Sequence, residues 1–296
     1  MGMIMNKVAA IVVTYNRKEL LAKCIEKLQK QSVSLDVLVI DNASTDGTKE
    51  LFAKDKPGVR YFNTGSNLGG AGGFSFGIKK AVELDYEYLW ILDDDTMPTE
   101  TALEAFLNKD KQLNGEYGFL TSKVLWKDEV ICTMNVQKIT KWKQLKDFNK
   151  EQTVQYASFV SLFIKCDTVK KIGLPYKEFF IWADDWEYTR RISKTEKCYF
   201  VPQSVVHHWC NSNVGANIIT ADADRMERFK YMYRNDVVMY RQDGIEGSIY
   251  LSIRNMLHRI RIFIDGKDVK EKIALIKNAT KEGKNFNPKI EFPKGE

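Results

Sequence analysis

Along the first hundred residues the apolar positions switch repeatedly between two periods. Lys7–Thr14 (KVAAIVVT) is a short β-branched run that predicts a buried parallel strand. Residues 18–30 then place Leu21, Cys24, Ile25 and Leu28 at helical spacing, with Asn16 where an N-cap is expected. Leu35–Ile40 predicts a second strand, residues 46–53 a capped helix start, and Val59–Phe62 a third strand. A helix over residues 74–84 and a strand over Tyr88–Leu92 follow. Strand and helix in alternation predict an α/β fold: a mostly parallel central sheet flanked by helices.

The pattern changes beyond residue 115. Segments 118–125, 154–164 and 198–207 look strand-like, and the polar, Lys-rich QKITKWKQLKDFNK between the first two reads as a mobile loop. After about residue 216 the chain turns helical, which divides it into 1–215 and a C-terminal helical region, 216–296. In residues 251–264 the apolar positions 253, 256, 257, 260, 263 and 264 follow i, i+3, i+4, i+7. They predict a face packed on the core, with Arg254, His258 and Arg261 on a wet basic face opposite.

Charge sharpens that picture. Residues 251–296 hold 11 Lys+Arg against 6 Asp+Glu, whereas residues 1–250 hold 34 against 33. The excess of the chain, +6 in all, is therefore local to the tail and does not call for nucleic acid. Its functional reading is contact with an anionic membrane surface. Five cysteines, an odd number with no CxxC pair, argue against a disulfide framework or zinc ribbon and for reduced thiols in the cytoplasm. The apolar runs fall far short of the roughly 20 residues that span a bilayer, and MGMIMNK carries no leader or lipidation signal.

Three constellations carry chemistry. Asp93, Asp94 and Asp95 follow directly on the fourth strand. A divalent cation would relieve their mutual repulsion, and oxygen ligands suit Mg²⁺ or Mn²⁺. His207 and His208 end a later strand and point to opposite faces; His208 is the first candidate for a further ligand and His207 the second. Asn67–Gly77 (NLGGAGGFSFG) precedes a helix and reads as backbone that comes close to an anionic ligand. It lacks the dinucleotide spacing, since Ser75 stands where G-x-G-x-x-G needs glycine, and no P-loop element occurs. Residues 179–191 (FFIWADDWEYTRR) set Asp184, Asp185 and Glu187 between Trp182 and Trp186. That is the make-up of a general base in an aromatic-walled pocket, where tryptophan faces suit a sugar ring. In YMYRN, Tyr231, Tyr233, Arg234 and Asn235 read as helix packing.

The ordered set IVVTYNR, VIDNASTDGT and LDDDTMP resembles the inverting family 2 glycosyltransferases of the GT-A fold, over roughly residues 7–240. The resemblance implies a nucleotide-sugar donor and Mn²⁺ or Mg²⁺. It implies that Thr14, Tyr15, Arg17 and Asp41 contact the nucleoside, with Asn67, Gly70 and Asp94 also on the donor. Asp93 would lie near the ribose and metal, and Asp95 would ligate the metal with one histidine. Asp185 would be the base; Asp184 and Glu187, with Trp182 and Trp186, would hold sugar or acceptor. NLGGAGGF and WADDWEY are similar to the galactofuranosyltransferases, which implies UDP-galactofuranose as donor and a surface or lipid-linked glycan as acceptor, at the inner face of the cell membrane. Rhamnosyltransferases using dTDP-rhamnose share the plan, and a non-catalytic nucleotide-sugar or glycan-binding module is the reading from another class. A homo-oligomer is compatible with each.

Overall fold

The computed structural model describes residues 7–53, 56–221, 223–265 and 267–293. Residues 1–6, read above for a leader, lie outside these. The strands are β1 (Val8–Thr14), β2 (Asp36–Asp41), β3 (Val59–Asn63), β4 (Tyr88–Asp93), β5 (Thr96–Pro98), β6 (Phe119–Leu125), β7 (Lys138–Thr140), β8 (Lys143–Gln144), β9 (Gln152–Thr153), β10 (Leu162–Lys165) and β11 (Tyr199–His208). The helices are α1 (Lys18–Gln29), α2 (Gly69–Glu83), α3 (Ala102–Gln112), α4 (Cys166–Ile172), α5 (Asp184–Ser193), α6 (Ala223–Arg241), α7 (Gly244–Asp265) and α8 (Val269–Asn285).

Among the described residues one mixed sheet runs β3-β2-β1-β4-β10-β6-β11-β5, with β9 on the flank of β11. The β3-β2-β1-β4 half is parallel, as the β/α alternation requires; β10 enters antiparallel between β4 and β6. Every residue of β1 is buried because both faces are covered. Ala9, Ile11 and Val13 pack toward α2 and α4, while Val8, Ala10 and Val12 pack toward α1 and α3. The register sets Val13 beside Asp93 and Thr14 beside Asp41, so these polar groups share the C-terminal edge of the parallel strands, where open α/β sheets bind ligands.

Several local expectations change. Asn16 does not cap α1. It takes a left-handed conformation, and its Oδ1 accepts from the Thr45 amide at 2.7 Å. The Lys18 amide is instead capped by Asp46 at 2.9 Å, from the far side of the β2 loop. Residues 46–53 form one 3₁₀ turn, Lys49–Phe52, rather than a longer helix. The Lys-rich stretch is an ordered hairpin, β7–β8: Leu145 is buried beneath it, and Lys141 pairs with Asp243 at 3.1 Å. Of segment 154–164, only Leu162 onward is strand.

The largest reversal concerns α7. Arg254 is turned inward to Asp236 of α6, and the neutral Nδ1 of His258 accepts from the Tyr233 hydroxyl at 2.7 Å. Burial, reinforced by Arg254 and Arg261, lowers the pKa of His258 to about 4. Arg254 and His258 of the expected wet basic face thus supply packing contacts while Arg261 stays exposed, and the apolar positions Ile253, Met256, Leu257, Ile260, Phe263 and Ile264 face outward. Phe263 is 75% exposed and Ile264 70%.

Candidate active site

The turn after β4 gathers the three aspartates. Thr14 Oγ1 donates to Asp94 at 2.7 Å; Arg17 Nη1 donates to Asp94 at 3.2 Å and to Asp95 at 2.7 Å. β11 runs antiparallel to β5 with His208 opposite Thr96, which sets the imidazole beside Asp95. The ligand atoms of Asp93, Asp95 and His208 lie within 4.8 Å of one another. His207, one residue back, points the other way and meets Glu129 at 2.9 Å, the alternation a strand imposes.

This donor set fits a divalent cation. His208 Nε2 is 3.1 Å from Asp95 Oδ1, yet the contact is not aligned as a hydrogen bond, so that buried oxygen keeps unspent acceptor capacity. On the other side of the ring, Nδ1 donates to Asn135 Oδ1 at 2.8 Å, which leaves Nε2 aimed at Asp95. Asn135 is itself oriented by donating to Ser158 at 3.0 Å. Burial works against charge on His208, but Asp95 and the thiols of Cys132 and Cys210 outweigh it and push its pKa up to about 12. Holding a cation there means releasing that proton. Burial, with the charge of Asp95 added, lifts Asp93 to about 6; burial lifts Asp94 to about 7 despite Arg17.

The second acidic group approaches from α5. Phe180, Trp182 and Ala183 all have positive φ, a strained run that aims the start of the helix. Asn235 holds that run: its Nδ2 donates to the carbonyls of Phe179, Ile181 and Trp182 at 3.0, 3.2 and 3.0 Å. The start of α2 supports it, the Ala71 amide donating to Phe180 O at 3.1 Å. A Cβ on Gly69 would lie 2.1 Å from that oxygen, and its φ of +71° already favours glycine. Burial raises Asp184 to about 7, and burial and the charge of Asp184 raise Asp185 well above the ordinary range; Asp93 adds to both shifts. Asp93 therefore lies near enough to the start of α5 for its charge to be felt by both.

The other expected residues have these places. Glu187 gives both oxygens to Arg191, at 3.0 and 3.1 Å, and Arg191 bonds the carbonyls of Ile172 and Leu174. The pair locks α5 to the preceding segment, and both Glu187 oxygens are engaged in it. Trp182 packs edge-on against Phe229 of α6, and Lys138 Nζ covers one face of Trp186 at 3.7 Å from the ring centre. Asp41 is 0% exposed, its carboxylate accepting from the Ser44 amide at 2.9 Å and the Tyr61 hydroxyl at 2.6 Å. Tyr15 is exposed beside the aspartate turn's strand edge. Asn67 caps the turn into α2, accepting from Gly69 N at 2.9 Å. Gly73 and Gly77 serve close packing of α2 on Val13, Ile11 and Ile40, so the close backbone approach is to the sheet; only Gly70 of the segment opens to free space. Asn135 and Lys138 lie here without having been singled out, since no local pattern marks them, and Asn235, read as helix packing in YMYRN, is found holding the turn before α5.

The mixed sheet, with its Asp-Asp-Asp turn at the C-terminal edge of the parallel strands, has the GT-A glycosyltransferase fold. The chain belongs to glycosyl transferase family 2, whose profile matches residues 9–171. It is 25% identical over 262 residues to the galactofuranosyltransferase GlfT1 of Mycolicibacterium smegmatis, covering 80% of this chain and 84% of that one. Over 110 residues it is 34% identical to the GalNAc(5)-diNAcBac-PP-undecaprenol beta-1,3-glucosyltransferase of Campylobacter jejuni, 36% of this chain and 35% of that one. The mannosyltransferase PcManGT of Pyrobaculum calidifontis, solved with GDP-Man and Mn²⁺, shares the fold with a TM-score of 0.57 at 16% identity, over 94% of this chain and 74% of that one.

Proposed function

We propose that this protein transfers galactofuranose from UDP-galactofuranose to a hydroxyl of a surface or lipid-linked glycan, with inversion at the anomeric carbon. The observation that carries this reading is geometric: at the C-terminal edge of the parallel strands the ligand atoms of Asp93, Asp95 and His208 lie within 4.8 Å of one another, and the charge of Asp93 reaches Asp184 and Asp185 at the start of α5. The donor follows the likeness to GlfT1, and the lipid-linked acceptor follows the Campylobacter jejuni relative.

In this reading Tyr15 lies against the nucleobase, and Thr14, Arg17, Asp41, Asn67, Gly70 and Asp94 shape the donor pocket. Trp182, Asp184 and Trp186 border the sugar and acceptor. Asp185 takes the proton of the acceptor hydroxyl. That oxygen bonds to the anomeric carbon as the bond from this carbon to UDP breaks, the electron pair leaving on the diphosphate. The burial and neighbouring charge that raise Asp185 make its carboxylate a stronger base. Mn²⁺ or Mg²⁺ held by Asp93, Asp95 and His208 supplies, when bound, positive charge against the departing diphosphate.

The test is a thermal-shift and turnover screen with Mn²⁺ present. Ligand at about 100 times its Kd stabilises by about 2.7 kcal/mol, so the true donor stands out. UDP-galactofuranose is expected to stabilise the protein and to be consumed. Stabilisation and consumption of dTDP-rhamnose instead would reassign the donor. Tight donor binding with no turnover on any acceptor would make the protein a binding module.

A further inference from the structure

We propose that α7 and α8 together form a binding site for the anionic phospholipids of a membrane surface. The outward face of α7 would enter the apolar layer, and a cationic cavity beside it would hold the lipid phosphate.

The apolar face is longer than the segment 251–264 alone. Ile245, 82% exposed, and Ile249 extend it toward the start of α7. At about 100° per residue all eight positions fall within an arc of about 120°, so they form one stripe along the helix. Arg259 and Arg261 stand on its two borders, where a long cationic side chain can lie along apolar surface and end at headgroup level. A continuous apolar stripe of this size is uncommon on a surface that meets only water.

Beside the stripe, α6, α7 and α8 enclose a cavity of ≈ 500 Å³. Arg241, Arg259, Lys277, Lys281 and Lys284 line it, and no Asp or Glu does. None of these five pairs with a carboxylate among the described residues; Arg241 and Arg259 are held by backbone carbonyls instead. Ser248, Ser252, Asn255 and Thr280 add neutral polar groups suited to phosphate oxygens. A second recess of ≈ 400 Å³, bordered by Met256, Ile260, Phe263 and Ile273, adjoins the first through Arg259 and Lys277, which line both. Cationic and apolar compartments with a common wall match the two ends of a phospholipid.

Charge selects this occupant over a second copy of the chain. Two copies meeting through this face would bring together two cavities lined by Arg241, Arg259, Lys277, Lys281 and Lys284 with no Asp or Glu in either lining. An anionic bilayer offers apolar depth and neutralising phosphates at once.

The test is flotation of the full chain with vesicles of phosphatidylcholine alone and of phosphatidylcholine with phosphatidylglycerol. Binding to the anionic vesicles is expected, roughly tenfold or more above the neutral ones. Ile260→Asp with Phe263→Asp is expected to abolish binding, and Lys277→Glu with Lys281→Glu to remove the preference for phosphatidylglycerol. All four positions are exposed, so unchanged thermal melts should accompany both losses. Failure of the wild type to float with anionic vesicles, or flotation of both variants like the wild type, overturns the proposal. So does a lipid-free dimer in sedimentation velocity that Phe263→Asp splits while no vesicle binding is seen; that result assigns the stripe to a second copy.

Discussion

Asn235, on α6, donates its side-chain amide to the carbonyl of Trp182, two residues ahead of Asp184, at 3.0 Å. With its further bonds to Phe179 and Ile181, this fully buried side chain ties a strained turn to a helix far along the chain. Asn235→Ala leaves those carbonyls short of a donor and should cost about 2–4 kcal/mol in stability. If the turn aims the acidic pair, kcat should fall by about 10–100-fold with the donor Kd unchanged. Loss of stability with full kcat would reduce Asn235 to a packing residue. Gly69→Ala pushes on the same turn from the opposite side, through the Phe180 carbonyl, and should shift kcat in the same direction.

Asp185→Asn removes the proposed base while keeping its shape. Turnover should drop by about 10²–10⁴-fold, with UDP-sugar binding retained by calorimetry. Turnover near the wild-type value in that variant would take Asp185 out of the role and leave Asp184 as the carboxylate to examine.

Asn135 fixes which nitrogen of His208 faces Asp95. Asn135→Ala should weaken Mn²⁺ binding by about 10–100-fold, the usual effect of losing a partner behind a metal-ligating histidine. Asn135→Asp, which can still accept from Nδ1–H, should recover most of it. Equal Mn²⁺ affinity in the wild type and Asn135→Ala, by titration calorimetry, would show that the ring needs no such support.

The pH dependence has a definite sign. Asp94 and Asp184 ionise near 7 in the fold because of burial, against the ordinary value of 3.8, so the folded state binds more protons than the unfolded chain between those values. Metal-free stability should therefore fall as pH rises from about 4 to about 7. His208, raised from 6.5 to about 12, continues that fall above neutrality. A cation held by Asp93, Asp95 and His208 competes with the protons of Asp93, raised to about 6, and of His208, so the gain in Tm from Mn²⁺ should grow from pH 5.5 to pH 8. A gain that is flat or shrinks over that range would place the cation away from these groups.

The first four strands and their helices are legible because each is a local pattern: a continuous apolar run for a strand buried on both faces, and a 3.6-residue stripe for a helix. The Asp-Asp-Asp turn is legible for the same reason, since the strand before it fixes where the carboxylates stand. Asn16 shows the limit: its residue type is right for a cap, but Asp46 wins the Lys18 amide because the β2 loop folds over the start of α1. Glu187 shows it again, because one helical turn onward Arg191 claims both of its oxygens.

From the sequence come the sheet's parallel half, the acidic clusters and the histidine pair as candidates, set by periodicity and neighbours in the chain; that His208 rather than His207 turns to Asp95 is decided by the pairing of β11 with β5. Only the tertiary structure reveals what Asn135, Lys138 and Asn235 touch, because their partners lie on distant elements. It alone also decides how α7 is turned. A helical stripe says that one side is apolar, not which side meets the protein, and here Asp236 and Tyr233 on α6 draw Arg254 and His258 inward and leave the apolar side facing out.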